Sequence, residues 1–115
     1  MSPNMSAVAQ RLDAITAKTN VREREIAELL GTTPQTVHRW RKARVDPQAA
    51  HLRRILDLAF VADELAELYA PDEARLWLLA RHRQLAGQRP IDLISRGEIE
   101  PVLQIISMLK DGAYG

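Results

Sequence analysis

Apolar residues recur along this chain with a helical period, and no stretch alternates with a period of two. Val8, Leu12 and Ile15 stand at i, i+4 and i+7, which predicts a first helix over about Ala7–Ala17 with Ser6 as its cap. From Val21 to Leu30, Val21, Ile26, Ala27, Leu29 and Leu30 share a stripe, with Asn20 and Glu23 in the places of a capping box. Gly31 closes this second helix, and Thr33-Pro34 starts a third with a hydroxyl cap followed by proline at the first helical position. Val37 and Trp40 lie on its inward face. Asp46-Pro47 opens an unbroken helical pattern reaching Tyr69, apolar over more of its circumference than one stripe requires. Such a helix either joins two subdomains or forms a dimer seam, and the first is the reading adopted. Further helices are expected over Asp72–His82, Ile91–Arg96 and Glu98–Lys110, with a turn at Leu85–Pro90 and a stop at Gly112. The predicted fold is all-α.

The spacing from Ala27 to Trp40 is the most specific signal. Two helices crossing at a tight turn need a small residue at the crossing (Ala27) and a glycine four residues on (Gly31). They also need a β-branched anchor six beyond that (Val37), and Trp40 adds an apolar residue three further along. This is a helix-turn-helix, and it resembles that of phage-repressor-like regulators of the Xre type, which Thr-Val-His-Arg-Trp-Arg typifies. Thr33, Gln35, Thr36 and Arg39 occupy the N-terminal exposed face of its second helix, where base edges are read in the major groove. Glutamine suits adenine and arginine suits guanine. Arg41, Lys42 and Arg44 follow directly and are candidate phosphate contacts.

Composition sharpens this picture in three ways. The net charge of +1 hides an asymmetry: residues 1–60 carry ten Lys/Arg against six Asp/Glu, and residues 61–115 carry six against nine. A cationic half suits nucleic acid and an acidic half a different partner, so the chain divides into a DNA-binding region, 1–60, and a second helical region, 61–115. The absence of cysteine removes disulfides, thiolate catalysis and cysteine zinc sites, and is compatible with a reducing cytoplasm. No apolar run approaches the ~20 residues of a membrane span, and the N-terminal residues lack the pattern of a signal peptide. Enzyme chemistry finds no support either. Ser95, His82 and Asp92 lack a nucleophile elbow, and His38, His51 and His82 have no i, i+4 metal spacing. No phosphate-binding glycine loop is present, and neither a cofactor nor a metal is expected.

The second half carries Glu73-Ala-Arg-Leu-Trp-Leu-Leu79, Leu85-Ala-Gly87, Pro90-Ile-Asp-Leu-Ile94, Gly97, Val102 and Gly112-Ala-Tyr114. This pattern resembles the toxin-binding domain of Xre/MbcA/ParS-type antitoxins, with Arg81-His82 where the family often has Pro-Asn. The resemblance covers nearly the whole chain. It implies a partner toxin of the RES-domain class that degrades NAD, obstruction of that toxin's active-site access, and repression of the shared operon. With Val102, Ile105, Ile106 and Leu109 assigned to the core, toxin contact falls to Lys110, Asp111 and Tyr114 of the tail and to Arg83 and Arg89 of the turn. The other reading is a stand-alone dimeric regulator. In either case two copies are expected on DNA, one per half-site.

Overall fold

The computed structural model describes residues 6–114, with side-chain surroundings for residues 6–112. It contains seven α-helices: α1 (Ala7–Thr19), α2 (Glu23–Leu30), α3 (Pro34–Arg41), α4 (Ala49–Ala66), α5 (Pro71–Leu79), α6 (Pro90–Ser95) and α7 (Ile99–Tyr114). The all-α class is as the periodicity predicts. Each boundary has a local cause, and several differ from the sequence-based expectation.

Ser6 caps α1, its hydroxyl accepting from the Ala9 N–H at 3.0 Å. The helix runs to Thr19 because two threonines secure its last turn. Thr19 Oγ1 donates to the Ile15 carbonyl at 2.7 Å and accepts from the Val21 N–H, and Thr16 Oγ1 donates to the Val21 carbonyl at 2.8 Å. Asn20 therefore takes a left-handed conformation at the end of α1 instead of capping α2. The cap of α2 is Arg22, whose N–H donates to the Glu25 carboxylate at 3.0 Å, so the box lies two residues further along than expected.

Both helices of the helix-turn-helix end in Schellman motifs. At the end of α2, Gly31 sits at φ +69°, and the Thr32 N–H reaches back to the Ala27 carbonyl at 2.9 Å. At the end of α3, Ala43 takes the left-handed position, and the Arg44 N–H reaches Arg39 at 2.9 Å. That turn uses up residues 42–45, so α4 begins at Ala49; Asp46 and Pro47 belong to the connection. Helix α4 ends at Ala66, before the expected Tyr69.

Helix α5 stops at Leu79, short of the expected His82, because Ala80 turns extended and His82 pairs with Gln88 in an antiparallel bridge. The His82 ring lies against Trp77, with centroids 4.9 Å apart, and its Nε2 is 2.8 Å from the Trp77 carbonyl. A carbonyl can only accept, so Nε2 carries the proton and closes one of the helix's open C-terminal acceptors. A 3-10 turn, Arg83–Leu85, fills the loop. Helix α7 passes through Gly112 to Tyr114, beyond the expected stop.

Helix α4 is the axis of the fold. Ile55, Leu58, Ala59, Val61, Ala62 and Leu65 are all buried, and the helix packs on α1, α5, α6 and α7. The Arg54 guanidinium lies over Gly97, just before α7, and Lys110 near the end of α7 meets Glu64 and Glu67 near the end of α4. The two helices therefore run parallel. One connected core extends from Leu12 to Ile106 and includes both tryptophans, Trp40 at 3% and Trp77 at 9% exposure. Neither indole is a stacking platform.

Candidate functional site

The first candidate surface is α3. Thr33 accepts from the Thr36 N–H at 3.2 Å and its hydroxyl lies 2.9 Å from that of Thr36, so the pair shapes the start of the helix. Val37 and Trp40 face inward, and this leaves Gln35 and Arg39 exposed, with Thr36 half-buried. Arg39, Lys42 and Arg44 are exposed and form no ion pair among the described residues. Arg44 joins Gln35, His38 and Arg39 around a shallow concavity beside Glu23.

Arg41 is placed differently from its neighbours. Its Nε donates to Asp13 at 2.9 Å and its Nη1 to Glu23 at 2.8 Å, which ties α3 to α1 and α2. His38 Nδ1 lies 3.0 Å from the same Glu23 carboxylate. Burial pushes the Glu23 carboxyl up, but hydrogen bonds and charge from Arg41 and His38 outweigh it and hold the group below its usual range. Arg41 thus neutralises the negative charge of Asp13 and Glu23 at the base of α3.

A second tie joins the helix-turn-helix to the C-terminal half. Arg75 on α5 grips both oxygens of Glu25 and donates to the Asn20 carbonyl at 3.0 Å. The Asn20 side-chain amide meets Asp72, and Lys18 meets Asp63. For Glu25 too, burial acts upward, while the bonds from Arg75 and the Arg22 N–H prevail and lower the pKa. The pairs Lys18–Asp63, Asn20–Asp72 and Glu25–Arg75 were not legible beforehand, because each is separated by 45 residues or more in sequence.

These shifts carry a pH dependence. A carboxyl with a lowered folded-state pKa stabilises the fold in full above its unfolded value, about 4.3 for glutamate, and that stabilisation disappears as pH falls through the folded value. Replacing Arg75 with alanine is expected to cost about 1–3 kcal/mol near neutrality, because Glu25 remains largely buried without its partner. It should also flatten the loss of stability between pH 5 and 3. Urea titrations across that range decide the point; an unchanged slope would exclude Glu25 as a contributor.

The C-terminal candidates do not form one cluster. Arg83 and Asp111 are exposed. Lys110 is only 19% exposed and is held by Glu64 at 2.5 Å and Glu67 at 3.2 Å; the Glu64 hydrogen bond leads in raising its pKa. Arg89 faces α2 and is bonded to Asp92 at 2.9 and 2.8 Å, an arrangement that raises the arginine and lowers the aspartate. It lines a groove of about 450 Å³ with Glu25, Glu28, Leu29 and Ile91. The side chain of Tyr114 lies outside the described residues. Two positions not singled out from the sequence stand out here: Leu76 on α5 and Met108 on α7, 69% and 65% exposed. Their helical positions were visible in sequence, but not that they would lack neighbours. Among the described residues no helix is long and apolar enough to cross a membrane, and no cluster of three metal-ligating side chains occurs.

An all-helical chain with α3 exposed on one side of a shared core, and with Leu76 and Met108 exposed on its C-terminal helices, has the architecture of an antitoxin that carries a helix-turn-helix. Comparison with known proteins makes this specific. The chain is 34% identical over 90 residues to the mycobacterial cidal antitoxin MbcA of Mycobacterium tuberculosis and of Mycobacterium bovis, covering 78% of this chain and 80% of each relative. A probable mycobacterial cidal antitoxin of M. tuberculosis is 30% identical over 91 residues. The structure also matches a chain in the crystal structure of the M. tuberculosis MbcT–MbcA toxin–antitoxin complex. The TM-score is 0.84 at 30% identity, covering 93% of this chain and 96% of that one. No protein-family model matches. The chain belongs to the mycobacterial cidal antitoxin family, as the resemblance in its second half implied.

Proposed function

We propose that this chain neutralises a RES-domain, NAD-degrading toxin by packing its C-terminal half across the entrance to the toxin's active site, and represses its own operon through α3. The observation that carries the first part is the near-complete structural match to an antitoxin family whose member MbcA was crystallised with the toxin MbcT. Exposed Leu76 and Met108 supply the desolvated anchors that a protein interface needs, and Arg83 and Asp111 are free to pair with a partner. Lys110 and Arg89 act at one remove, Lys110 by fixing α7 to α4 and Arg89 by fixing the turn before α6 through Asp92. Tyr114 continues α7 towards the partner. The chain needs no cofactor and performs no catalysis of its own.

For the second part, Gln35, Thr36 and Arg39 read base edges, and Lys42 and Arg44 neutralise phosphates. A single recognition helix covers few base pairs, so two copies are required on half-sites about 34 Å apart.

The test is co-purification with the product of the adjacent reading frame, with NAD consumption measured alongside. The neighbour is expected to consume NAD alone and to fall silent in the complex. An active complex, or no complex, would leave a stand-alone regulator as the function. A chain truncated after Lys110 keeps the clasp on α4 and should still bind operator, yet inhibit the toxin at least about tenfold less well, equivalent to about 1.4 kcal/mol of lost contact.

A further inference from the structure

His38 lines the shallow concavity of α3 together with Gln35, Arg39 and Arg44, and its side chain is 48% exposed. One ring nitrogen is engaged: Nδ1 lies 3.0 Å from Oε2 of Glu23 on α2. That carboxylate is itself fixed. Its Oε2 also accepts from Arg41 Nη1 at 2.8 Å, and Arg41 Nε is held by Asp13 of α1 at 2.9 Å. A carboxyl held below its usual range is ionised near neutrality and can only accept, so Nδ1 carries the ring proton. In a neutral imidazole the other nitrogen, Nε2, then presents a lone pair. Among the described residues nothing pairs with Nε2. We infer that His38 reads one base of the operator through Nε2, and that Glu23 is the positioning residue that sets which base it accepts.

The tautomer determines the choice. In the major groove cytosine and adenine offer amino groups as donors, whereas guanine offers O6 and N7, and thymine O4, as acceptors. A lone pair at Nε2 therefore selects cytosine or adenine and is repelled by the acceptors of guanine. Protonation makes both ring nitrogens donors. Nδ1 then keeps Glu23, and Nε2 selects guanine, whose two acceptors lie side by side. One side chain thus specifies different bases on either side of its titration. Neither neighbour can do this: the Gln35 amide carries donor and acceptor together, and the Arg39 guanidinium only donates.

The charged groups around the ring leave this switch to the histidine. Glu23 faces it from α2, Arg39 and Arg41 lie on α3 itself, and Lys42 and Arg44 follow in the connection; Asp13 of α1 acts through Arg41. Of these residue types only histidine changes its charge between about pH 5.5 and about pH 8. Protonation also adds positive charge to a surface that meets phosphates, so affinity for every sequence is expected to rise as pH falls. The change of base is a separate effect and is confined to one position. It rests on the base-reading role proposed for α3, and the two can fail separately.

The test is selection of a randomised duplex library on the full chain, at about pH 8 and at about pH 5.5, followed by sequencing. The wild-type chain is expected to prefer cytosine or adenine at one position of each half-site at the higher pH. At the lower pH guanine should replace them there, each preference being at least about fivefold. His38→Ala should lose the preference at that position alone and keep the others at both pH values. His38→Lys, a permanent donor, should select guanine at both. Glu23→Gln can face either ring tautomer and should blur the position at the higher pH, which a purely structural role for Glu23 would not do. Circular dichroism checks the fold of each variant. Should Glu23→Gln lose helix content, the two His38 variants, altered only at an exposed side chain, decide. A library from which no sequence is enriched overturns operator reading by α3, and this inference with it. Enrichment of the same sequence by wild type and His38→Ala, or a base preference that ignores pH, overturns the inference alone.

Discussion

Alanine at both Gln35 and Arg39 is expected to abolish selective operator binding while leaving the melting temperature within about a degree of wild type. Both side chains are exposed on α3 and neither has a partner among the described residues, so the fold loses little when they are cut back. On DNA each would make a bidentate contact worth roughly 1–3 kcal/mol of discrimination, and removing both costs about two to four orders of magnitude in preference for operator over random sequence. Lys42→Ala and Arg44→Ala should behave otherwise. They weaken binding to all sequences alike and lower the salt slope by about one each. Arg41→Ala separates the two kinds of effect, since its guanidinium holds Asp13 and Glu23. It should reduce stability and DNA affinity together. Fluorescence anisotropy with operator and scrambled duplexes, at several salt concentrations, distinguishes the three. Undiminished selectivity in the Gln35/Arg39 double variant would show that α3 serves assembly and not base reading.

The largest effect on stability is expected at Leu58. Its side chain is fully buried in α4, the helix that packs against α1, α5, α6 and α7. Leu58→Ala should cost about 2–5 kcal/mol through lost burial and the cavity left behind, lowering the melting temperature by roughly 10 °C or more. Because the core is continuous, both halves should melt together. Trp40 reports on the helix-turn-helix and Trp77 on the C-terminal half, so variants retaining only one tryptophan can follow each separately. Coincident transitions are expected, with operator binding and toxin inhibition lost at the same temperature. Two separate transitions would mean that residues 1–60 and 61–115 are independent domains and not two working faces on one core.

How much of this was readable beforehand depended on how local the cause was. Gly31, Thr33-Pro34, Val37 and Trp40 act within one or two turns of themselves, and the helix-turn-helix they encode stands where its spacing predicts. Helix ends were less legible. Asn20 was a plausible cap, but Thr16 and Thr19 consume the backbone around it, and Gly112 could have ended α7 but is carried within it. The apolar residues of α4 were all visible, whereas the side each would face was not: Leu56 and Phe60 obey the same period as Ile55 and Leu58 yet lie outside.

The sequence by itself determined the helical class, the turn that presents α3, the inward placement of both tryptophans and the family resemblance of the second half. All of these are set by periodicity, capping and short-range sterics. Tertiary structure alone decided that Arg41 and Arg75 serve as ties, that Lys110 is clasped to α4, and that an apolar stripe on α4 remains uncovered. Ion pairs across 18 to 50 residues, and the exposure of one face among several equally apolar ones, depend on which helices come to lie side by side, and no local pattern in the chain encodes that.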